Sequence, residues 1–182
     1  ALPISDIHSS NQYALMRTII EEQGVDVVID SGDLINFGRV QEAGLSNLYR
    51  SISSLGVPYV FVSGNHDRSA VDDTQLLDDL AGTDGVTLLE PGSGEYQQIE
   101  VGGLRIAGFN DPRYYGDADD GSTDEQVAAR ERWVEALGDA EPPDITVSHE
   151  EPALDDAPGR LRVHGHGHVP QVSGNRLQVG TF

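Results

Sequence analysis

The chain is 182 residues long, which suits a single domain with a sizeable buried core. It contains 31 Asp and Glu residues against 11 basic residues, all of them Arg, so its formal net charge is −20 at pH 7. A field of this sign repels duplex nucleic acid and anionic membrane surfaces, and neither is expected as a partner. Because the sequence has no cysteine, disulfides and thiolate metal sites are excluded.

The sequence has no run of 18 apolar residues, so no membrane-spanning helix is predicted. It begins directly in a predicted strand, and we interpret residues 1–182 as one domain, either whole or excised from a longer chain. Both a cytoplasmic protein and the soluble domain of a membrane-tethered bacterial protein fit these features. An acidic chain with few arginines needs another source of positive charge if it binds phosphate, and metal ions are the natural candidates.

The first half of the chain alternates predicted strands and helices. Strands are predicted at 2–5, 25–30 and 57–62, and helices at 11–23 and 40–55 lie between them. The first helix has apolar residues at helical spacing and ends before Gly24. This β-α-β-α-β order predicts parallel strands joined by right-handed crossovers, and hence an α/β fold.

The second half is richer in strands. After a short helix at 72–81, strands are predicted at 86–89, 96–101, 104–109, 145–148, 161–164, 169–172 and 176–179. Gly102 and Gly103 predict a hairpin between two of them. A polar loop at 110–121 precedes a helix that ends at Leu137, and Ser122 and Glu125 stand at capping-box spacing at its start.

Residue types that bind metals follow five of the predicted strands. These residues are Asp6 and His8, Asp33, Asn65 with His66, His149, and His166 with His168. In open α/β sheets, ligands bind at the carboxyl ends of the strands. Taken singly, each residue has an ordinary explanation as a helix cap, a turn residue or a hydrogen-bonded histidine. Their recurrence at five strand ends predicts one joint site.

The chemistry of these side chains indicates two bound metal ions. Carboxylate, imidazole and amide ligands without sulfur suit Mn²⁺, Fe²⁺ or Zn²⁺. Asp6 and His8 are two residues apart on an extended segment and point to the same side, and His166 and His168 do likewise. About seven ligands are too many for one tetrahedral ion, and Asp33 is the natural bridge between two. Two ions about 3.5–4 Å apart can activate a bridging hydroxide and neutralise an in-line displacement.

The motifs resemble the signature of the calcineurin-like metallophosphoesterase superfamily, and most closely its bacterial phosphodiesterase-like branch. They read Asp6-x-His8, Gly32-Asp33, Gly64-Asn65-His66-Asp67, His149 and Gly165-His166-x-His168. The resemblance implies a four-layer αββα fold, in which a two-sheet β-sandwich is flanked by helices. The protein Ser/Thr phosphatases of this superfamily have Gly-Asp-x-x-Asp-Arg-Gly, whereas Asn36 and Phe37 stand at the last Asp and the Arg here. A protein phosphatase is therefore not expected.

The resemblance also implies a role for each site residue. The first metal would be bound by Asp6, His8 and His168, the second by Asn65, His149 and His166, and Asp33 would bridge the two. His66 would be the acid that protonates the leaving oxygen, and Asp67 would orient it.

Two further residues are candidates for substrate contacts. Arg113 lies in the polar loop, and a guanidinium group suits bidentate phosphate binding. His164 precedes the Gly165-His166-x-His168 turn. The expected activity is hydrolysis of a small phosphoester by a metal-bridging hydroxide, with diesters slightly favoured over monoesters. The alternative is a metal-binding or regulatory domain of the same fold without catalysis.

Overall fold

Two β-sheets lie back to back in the middle of the molecule, with helices on both outer faces. The structure is a computed structural model, and it describes residues 1–117 and 123–182. The first sheet comprises β1 (Leu2–Ile4), β2 (Val28–Asp30), β3 (Tyr59–Phe61) and β4 (Val86–Leu88), all parallel and in sequence order. Its helices are α1 (Tyr13–Gln23), α2 (Val40–Leu45), α3 (Leu48–Ser53) and α4 (Gln75–Ala81). The parallel β-α-β-α-β start is thus confirmed.

The second sheet is mixed and has the order β5-β6-β7-β8-β10-β9. Its strands are β5 (Gln98–Val101), β6 (Leu104–Gly108), β7 (Ile145–Val147), β8 (Leu161–His164), β9 (Gln171–Ser173) and β10 (Arg176–Gln178). Gly102 and Gly103 form the predicted hairpin turn between β5 and β6. The helix α5 (Thr123–Leu137) covers this sheet, and Ser122, the predicted cap, lies outside the described residues.

The predicted helix at 40–55 is divided into α2 and α3, because the chain turns at Asn47. Asn47 has a φ of 58°, a left-handed conformation that asparagine tolerates better than most residues. Just before it, the Ser46 hydroxyl donates to the carbonyl of Glu42 at 2.9 Å, which satisfies an acceptor at the end of α2. The pattern of apolar residues is continuous across this turn, so it predicted one helix.

Side-chain alternation along the strands builds three layers of core. Val28 packs under the helices of the first sheet, whereas its neighbour Ile29 packs between the two sheets, together with residues such as Val147 of β7. On the far side of the second sheet, Phe109 packs against Trp133 of α5, with ring centroids 5.2 Å apart. The layers are therefore helix, sheet, sheet and helix, and the predicted αββα fold is confirmed.

The carboxyl ends of β1, β2, β3, β7 and β8 all lead into turns at one edge of the sandwich. Five of the predicted metal ligands in these turns have positive φ angles: Asp6 (54°), His8 (49°), Asp33 (63°), His166 (60°) and His168 (57°). A positive φ is uncommon for residues other than glycine and clusters at functional sites.

Within the described residues, no helix is both long and apolar enough to span a membrane.

Candidate metal centre

Two clusters of carboxylate and imidazole groups form at this edge. Asp6, His8 and His168 make up one, and Asp33, His149 and His166 make up the other. In each cluster the candidate ligand atoms lie within 4.8 Å of one another. The carboxylates are buried at the base, whereas His168 is exposed at the mouth, so that the centre is open to an incoming substrate.

Asp33 belongs to the second cluster and also faces the first. Its Oδ2 is 3.2 Å from Nε2 of His149 in one cluster and 3.8 Å from Nε2 of His8 in the other. Its other oxygen, Oδ1, accepts a hydrogen bond from the backbone amide of His66 at 2.9 Å. The side chain is therefore held at a position from which one oxygen faces both clusters, as a bridging ligand requires.

Two buried oxygen atoms support the fit of the site to cations. Oδ1 of Asp6 and Oδ1 of Asn65 are buried, and neither has a hydrogen-bond donor among the described residues. Nε2 of His168 comes within 3.2 Å of the Asp6 oxygen without forming a hydrogen bond. A buried oxygen without a partner is costly. Both atoms belong to residues predicted as metal ligands, and carboxylate, amide and imidazole donors together suit divalent cations.

The ring of His149 is oriented by the backbone. Its Nδ1 lies 2.8 Å from the carbonyl oxygen of Ser31, which can only accept, so this nitrogen carries the proton and Nε2 faces the cluster. Burial alone would lower the pKa of His149, yet the charge of Asp33 prevails and raises it to about 10. Likewise, burial would raise the pKa of Asp33, but the charge of His149 holds it below its usual range.

Asp67 joins the two turns that carry Asp33 and Asn65. Its Oδ2 accepts from the amides of Asp33 and Gly64, both at 2.8 Å, and its Oδ1 accepts from the amides of Leu34 at 2.8 Å and Ile35 at 3.3 Å. Burial and the nearby charge of Asp33 raise the pKa of Asp67 to about 7, despite these hydrogen bonds. The carboxylate thus fixes the backbone of both turns.

Glycine is required where these turns meet. A Cβ atom on Gly32 would lie 2.4 Å from the backbone nitrogen of Gly64, and one on Gly64 would lie 2.2 Å from Oδ1 of Asp33. Gly32 also has a φ of 110°. The two Gly residues of the Gly-Asp and Gly-Asn-His-Asp motifs are therefore explained by the close approach of the two turns.

The ring of His66 is held by Asn36 and not by Asp67. Its Nδ1 makes a short hydrogen bond to the carbonyl oxygen of Asn36, whereas the Asp67 oxygens are occupied by backbone amides. The prediction that Asp67 orients this imidazole is thereby corrected. The ring packs edge-on against His8 with centroids 4.9 Å apart, which places it beside the first cluster.

Glu150 is a site residue that sequence reasoning missed. Its Oε1 lies 2.9 Å from Nε2 of His166 and 2.8 Å from Nη2 of Arg113. Burial would raise the pKa of Glu150, but the contacts with His166 and Arg113 lower it to about 2. Its position directly after His149 was the available signal, although two partners far away in the sequence give it its role.

The structure buries Arg113, which was predicted to contact substrate. Its guanidinium is 1% exposed and pairs with both oxygens of Asp111, at 3.0 Å from Nε and 2.7 Å from Nη2. Gln126 of α5 donates to the same carboxylate at 3.0 Å. The prediction is corrected, because Arg113 holds Glu150 from below and offers no surface to a substrate.

His164, the other predicted substrate contact, is also buried. It is 3% exposed, and its Nδ1 lies 3.3 Å from the carbonyl oxygen of Gly165. Burial lowers its pKa. It belongs to neither cluster, and this prediction is likewise corrected in favour of a packing role under the turn after β8.

A four-layer sandwich with two carboxylate–imidazole clusters at one edge has the side chains of a metal-binding domain. A family model for calcineurin-like phosphoesterases matches residues 2–171. The chain therefore belongs to the calcineurin-like phosphoesterase family, whose members are metal-dependent phosphoesterases and generally bind two divalent metals. Among curated proteins, none matches the sequence.

Solved structures share the fold at low sequence identity. The protein TT1561 of Thermus thermophilus is 14% identical with a TM-score of 0.64, and the match covers 98% of this chain and 87% of that one. A dimetal phosphatase from Danio rerio is 11% identical, with a TM-score of 0.54 and coverages of 98% and 85%. A 5′-nucleotidase precursor from Thermus thermophilus is 15% identical with a TM-score of 0.55, and the match covers 98% of this chain but 47% of that one.

Proposed function

We propose that this chain hydrolyses a small phosphoester with two divalent cations, one at each cluster. The observation that carries the proposal is Asp33, whose Oδ2 faces His8 in one cluster and His149 in the other. The buried oxygens of Asp6 and Asn65, which have no hydrogen-bond donor among the described residues, support the proposal that both residues are metal ligands.

Bound cations at these positions would supply a hydroxide nucleophile and neutralise the phosphoryl charge. The proposed ligands are Asp6, His8 and His168 for one ion, Asn65, His149 and His166 for the other, and Asp33 for both. Mn²⁺, Fe²⁺ and Zn²⁺ are the favoured ions, because the donor set holds oxygen and imidazole nitrogen without sulfur. The cations also remove the repulsion that an acidic chain would otherwise exert on a phosphate.

His66 is proposed to protonate the leaving oxygen. Because Nδ1 bonds to the Asn36 carbonyl, Nε2 is the nitrogen left to donate a proton to substrate. The turn that holds it also carries Asn65, so a metal ligand and the proton donor are one residue apart. We expect a slight preference for diesters, by similarity to the phosphodiesterase-like branch of the family.

The test is a panel of generic phosphomonoesters and diesters assayed with Mn²⁺, Fe²⁺, Zn²⁺ and Mg²⁺, together with metal content after dialysis. We expect turnover with two bound ions per chain in the wild type, and loss of both the second ion and turnover in Asp33→Asn. Two bound ions without turnover of any ester would support the non-catalytic alternative.

The acid role is tested by His66→Ala on two kinds of ester. Alkyl esters leave as alkoxides that need a proton, and we expect their turnover to fall by about 10²-fold or more. Nitrophenyl esters have stable leaving groups and should lose far less. Equal losses on both would exclude His66 as the acid while leaving the metal centre in place.

A further inference from the structure

Two exposed aromatic side chains lie next to His66 and have no role in the chemistry described above. Phe37 is 53% exposed and Tyr115 is 40% exposed. Their rings pack edge-on with centroids 5.5 Å apart, and the Tyr115 ring lies 5.2 Å from the His66 ring. Phe37 and Tyr115 thus form an aromatic ledge that continues from the proposed proton donor towards solvent.

The backbone around His66 holds both residues of the ledge in place. The amide of Gly38, next to Phe37, donates to the carbonyl of His66 at 2.9 Å, and the amide of Tyr115 donates to the carbonyl of Arg68 at 2.8 Å. A Cβ on Gly38 would lie 2.2 Å from that same Arg68 oxygen, so the two segments are in direct contact. The two segments that carry Phe37 and Tyr115 are therefore bonded to the backbone of the His66 turn, so the backbone of the ledge is in place before a ligand binds.

Further hydrogen bonds, made by the side chain of Arg68, fix the loop that carries Tyr115. The guanidinium of Arg68 donates from Nη2 to the carbonyl oxygens of Asp111 and Arg113, both at 2.8 Å. On the other side, the amide of Phe37 donates to Oε1 of Glu42 at 2.9 Å. Two partly exposed aromatic side chains on backbone segments fixed in this way provide a stacking surface for another planar ring.

The position of the ledge decides which part of a substrate it meets. His66 acts on the leaving oxygen, so the group attached to that oxygen lies on the His66 side of the phosphorus atom. We propose that the aromatic ledge stacks against a planar ring in the leaving group, and that the preferred substrates are phosphoesters of nucleosides. This inference rests on the proposed function, because it uses the role of His66.

The test compares two substrates that release the same kind of alkoxide. Adenosine 5′-monophosphate and ribose 5-phosphate differ in the purine ring, and the methyl esters of both form the corresponding diester pair. Stacking of one base on aromatic side chains is strong enough that we expect kcat/KM to favour the nucleotide by about 10-fold or more in the metal-loaded wild type.

The decisive variant is Phe37→Ala. Tyr115 contacts the ring of His66, so a substitution of Tyr115 could also disturb the proposed proton donor. We expect this variant to lose most of the preference for the nucleotide, mainly through KM, while turnover of ribose 5-phosphate changes far less. Phe37→Leu keeps an apolar side chain without a planar face and should lose the preference as well. Val172→Ala, an exposed apolar residue on β9, is the matched control and should keep it.

The outcomes separate the ledge from the catalytic proposal. Equal kcat/KM for both substrates in the wild type, or equal losses on both in Phe37→Ala, would overturn the ledge while leaving the phosphoesterase assignment intact. If no ester is turned over at all, the ledge is tested by measuring the binding of adenosine 5′-monophosphate and ribose 5-phosphate by calorimetry. Tighter binding of the nucleotide that Phe37→Ala abolishes would support the ledge, and equal binding would overturn it.

Discussion

At the scale of single residues, the two ring nitrogens of His166 face different partners. Nδ1 lies 3.2 Å from Nε2 of His149, inside the cluster, and Nε2 lies 2.9 Å from the carboxylate of Glu150 outside it. A carboxylate on the outer nitrogen of a metal-binding histidine fixes its tautomer and raises its basicity. Glu150 is in turn held by Arg113, so a chain of three side chains, Arg113, Glu150 and His166, ends at the candidate metal centre.

We expect Glu150→Gln to weaken metal binding at the Asp33–His149–His166 cluster by about 10–100-fold, because the outer negative charge is lost. Calorimetric titration of the metal-free protein with Mn²⁺ measures this directly, without any assay of activity. The matched control is Glu151→Gln, since Glu151 is 59% exposed and pairs with Arg176 at the surface. Unchanged affinity in Glu150→Gln would show that the contact has no role in metal binding.

Removal of Arg113 has a different expected consequence. Arg113→Met would leave the buried carboxylates of Asp111 and Glu150 without their shared cation, and breaking a buried ion pair on one side costs about 3–5 kcal/mol. Urea unfolding should therefore show a large loss of stability. Arg176→Met removes a more exposed ion pair and should cost about 1 kcal/mol or less. If Arg113→Met is as stable as the wild type but has a raised KM, the original prediction that Arg113 contacts substrate would be supported instead.

The sequence predicted that the candidate metal ligands meet at one edge of the fold, but it did not predict the side chains that support them. Ligand-type residues after apolar strands are visible in the sequence, and the structure brings Asp6, His8 and Asp33 together as the pattern predicted. The ion pair between Arg113 and Glu150 joins a loop to a strand end that is distant in the sequence. Which carboxylate an arginine meets depends on how that loop folds, and no local pattern encodes it.

At the scale of elements, the carboxyl end of β2 contains a buried carboxyl group that the proposed chemistry does not use. Asp30 accepts a hydrogen bond from the hydroxyl of Tyr59 and another from the amide of Gly32 at 2.9 Å. Burial raises its pKa well above the usual value, in spite of both hydrogen bonds. The folded protein therefore keeps this group protonated at pH values where the unfolded chain has already ionised it.

The sign of the resulting pH dependence follows from the raised pKa. Because the pKa of Asp30 is higher in the folded than in the unfolded chain, its contribution to stability is complete below the unfolded pKa and is lost as pH rises towards the folded value. A tenfold difference in acidity between the two states corresponds to about 1.4 kcal/mol. We expect Asp30→Asn, which cannot ionise, to lose less stability than the wild type as the pH rises above the pKa of the unfolded carboxyl group. Parallel slopes of unfolding free energy against pH in the two proteins would contradict this.

The elements themselves were largely predictable, with one instructive exception. Apolar runs bounded by glycine placed the strands of both sheets, although the structure shortens several, such as β1 and β3. The division between α2 and α3 was not visible, because Asn47 and Ser46 end a helix through a backbone turn that leaves the apolar spacing intact. Hydrophobic periodicity reports which face is buried, and it is insensitive to such a local change of direction.

At the scale of the whole molecule, the fold places two clusters of carboxylate and imidazole groups at one edge of a chain whose net charge is −20. Self-repulsion of this size opposes the compact state. Any cation that binds the folded chain and not the unfolded one adds stability in proportion to RT ln(1 + [L]/Kd), about 2.7 kcal/mol per site at 100 times Kd. Specific binding of a cation and general screening of charge therefore both stabilise the folded chain, and an experiment must separate the two effects.

We expect Mn²⁺ or Zn²⁺ at such concentrations to raise Tm by roughly 5–10 °C per site, given about 2–4 °C per kcal/mol for a chain of this size. NaCl at matched ionic strength screens charge without occupying the clusters and should raise Tm less. Asp33→Asn removes the shared ligand and with it one of the two ions, so its Tm should rise less with the divalent ion than that of the wild type, once the response to NaCl is subtracted. Both salts screen the same surface charges. The difference between the rise in Tm with the divalent ion and the rise with NaCl therefore reports binding at the two clusters. An Asp33→Asn protein that gains as much as the wild type would show that surface carboxylates, and not the two clusters, bind the metal.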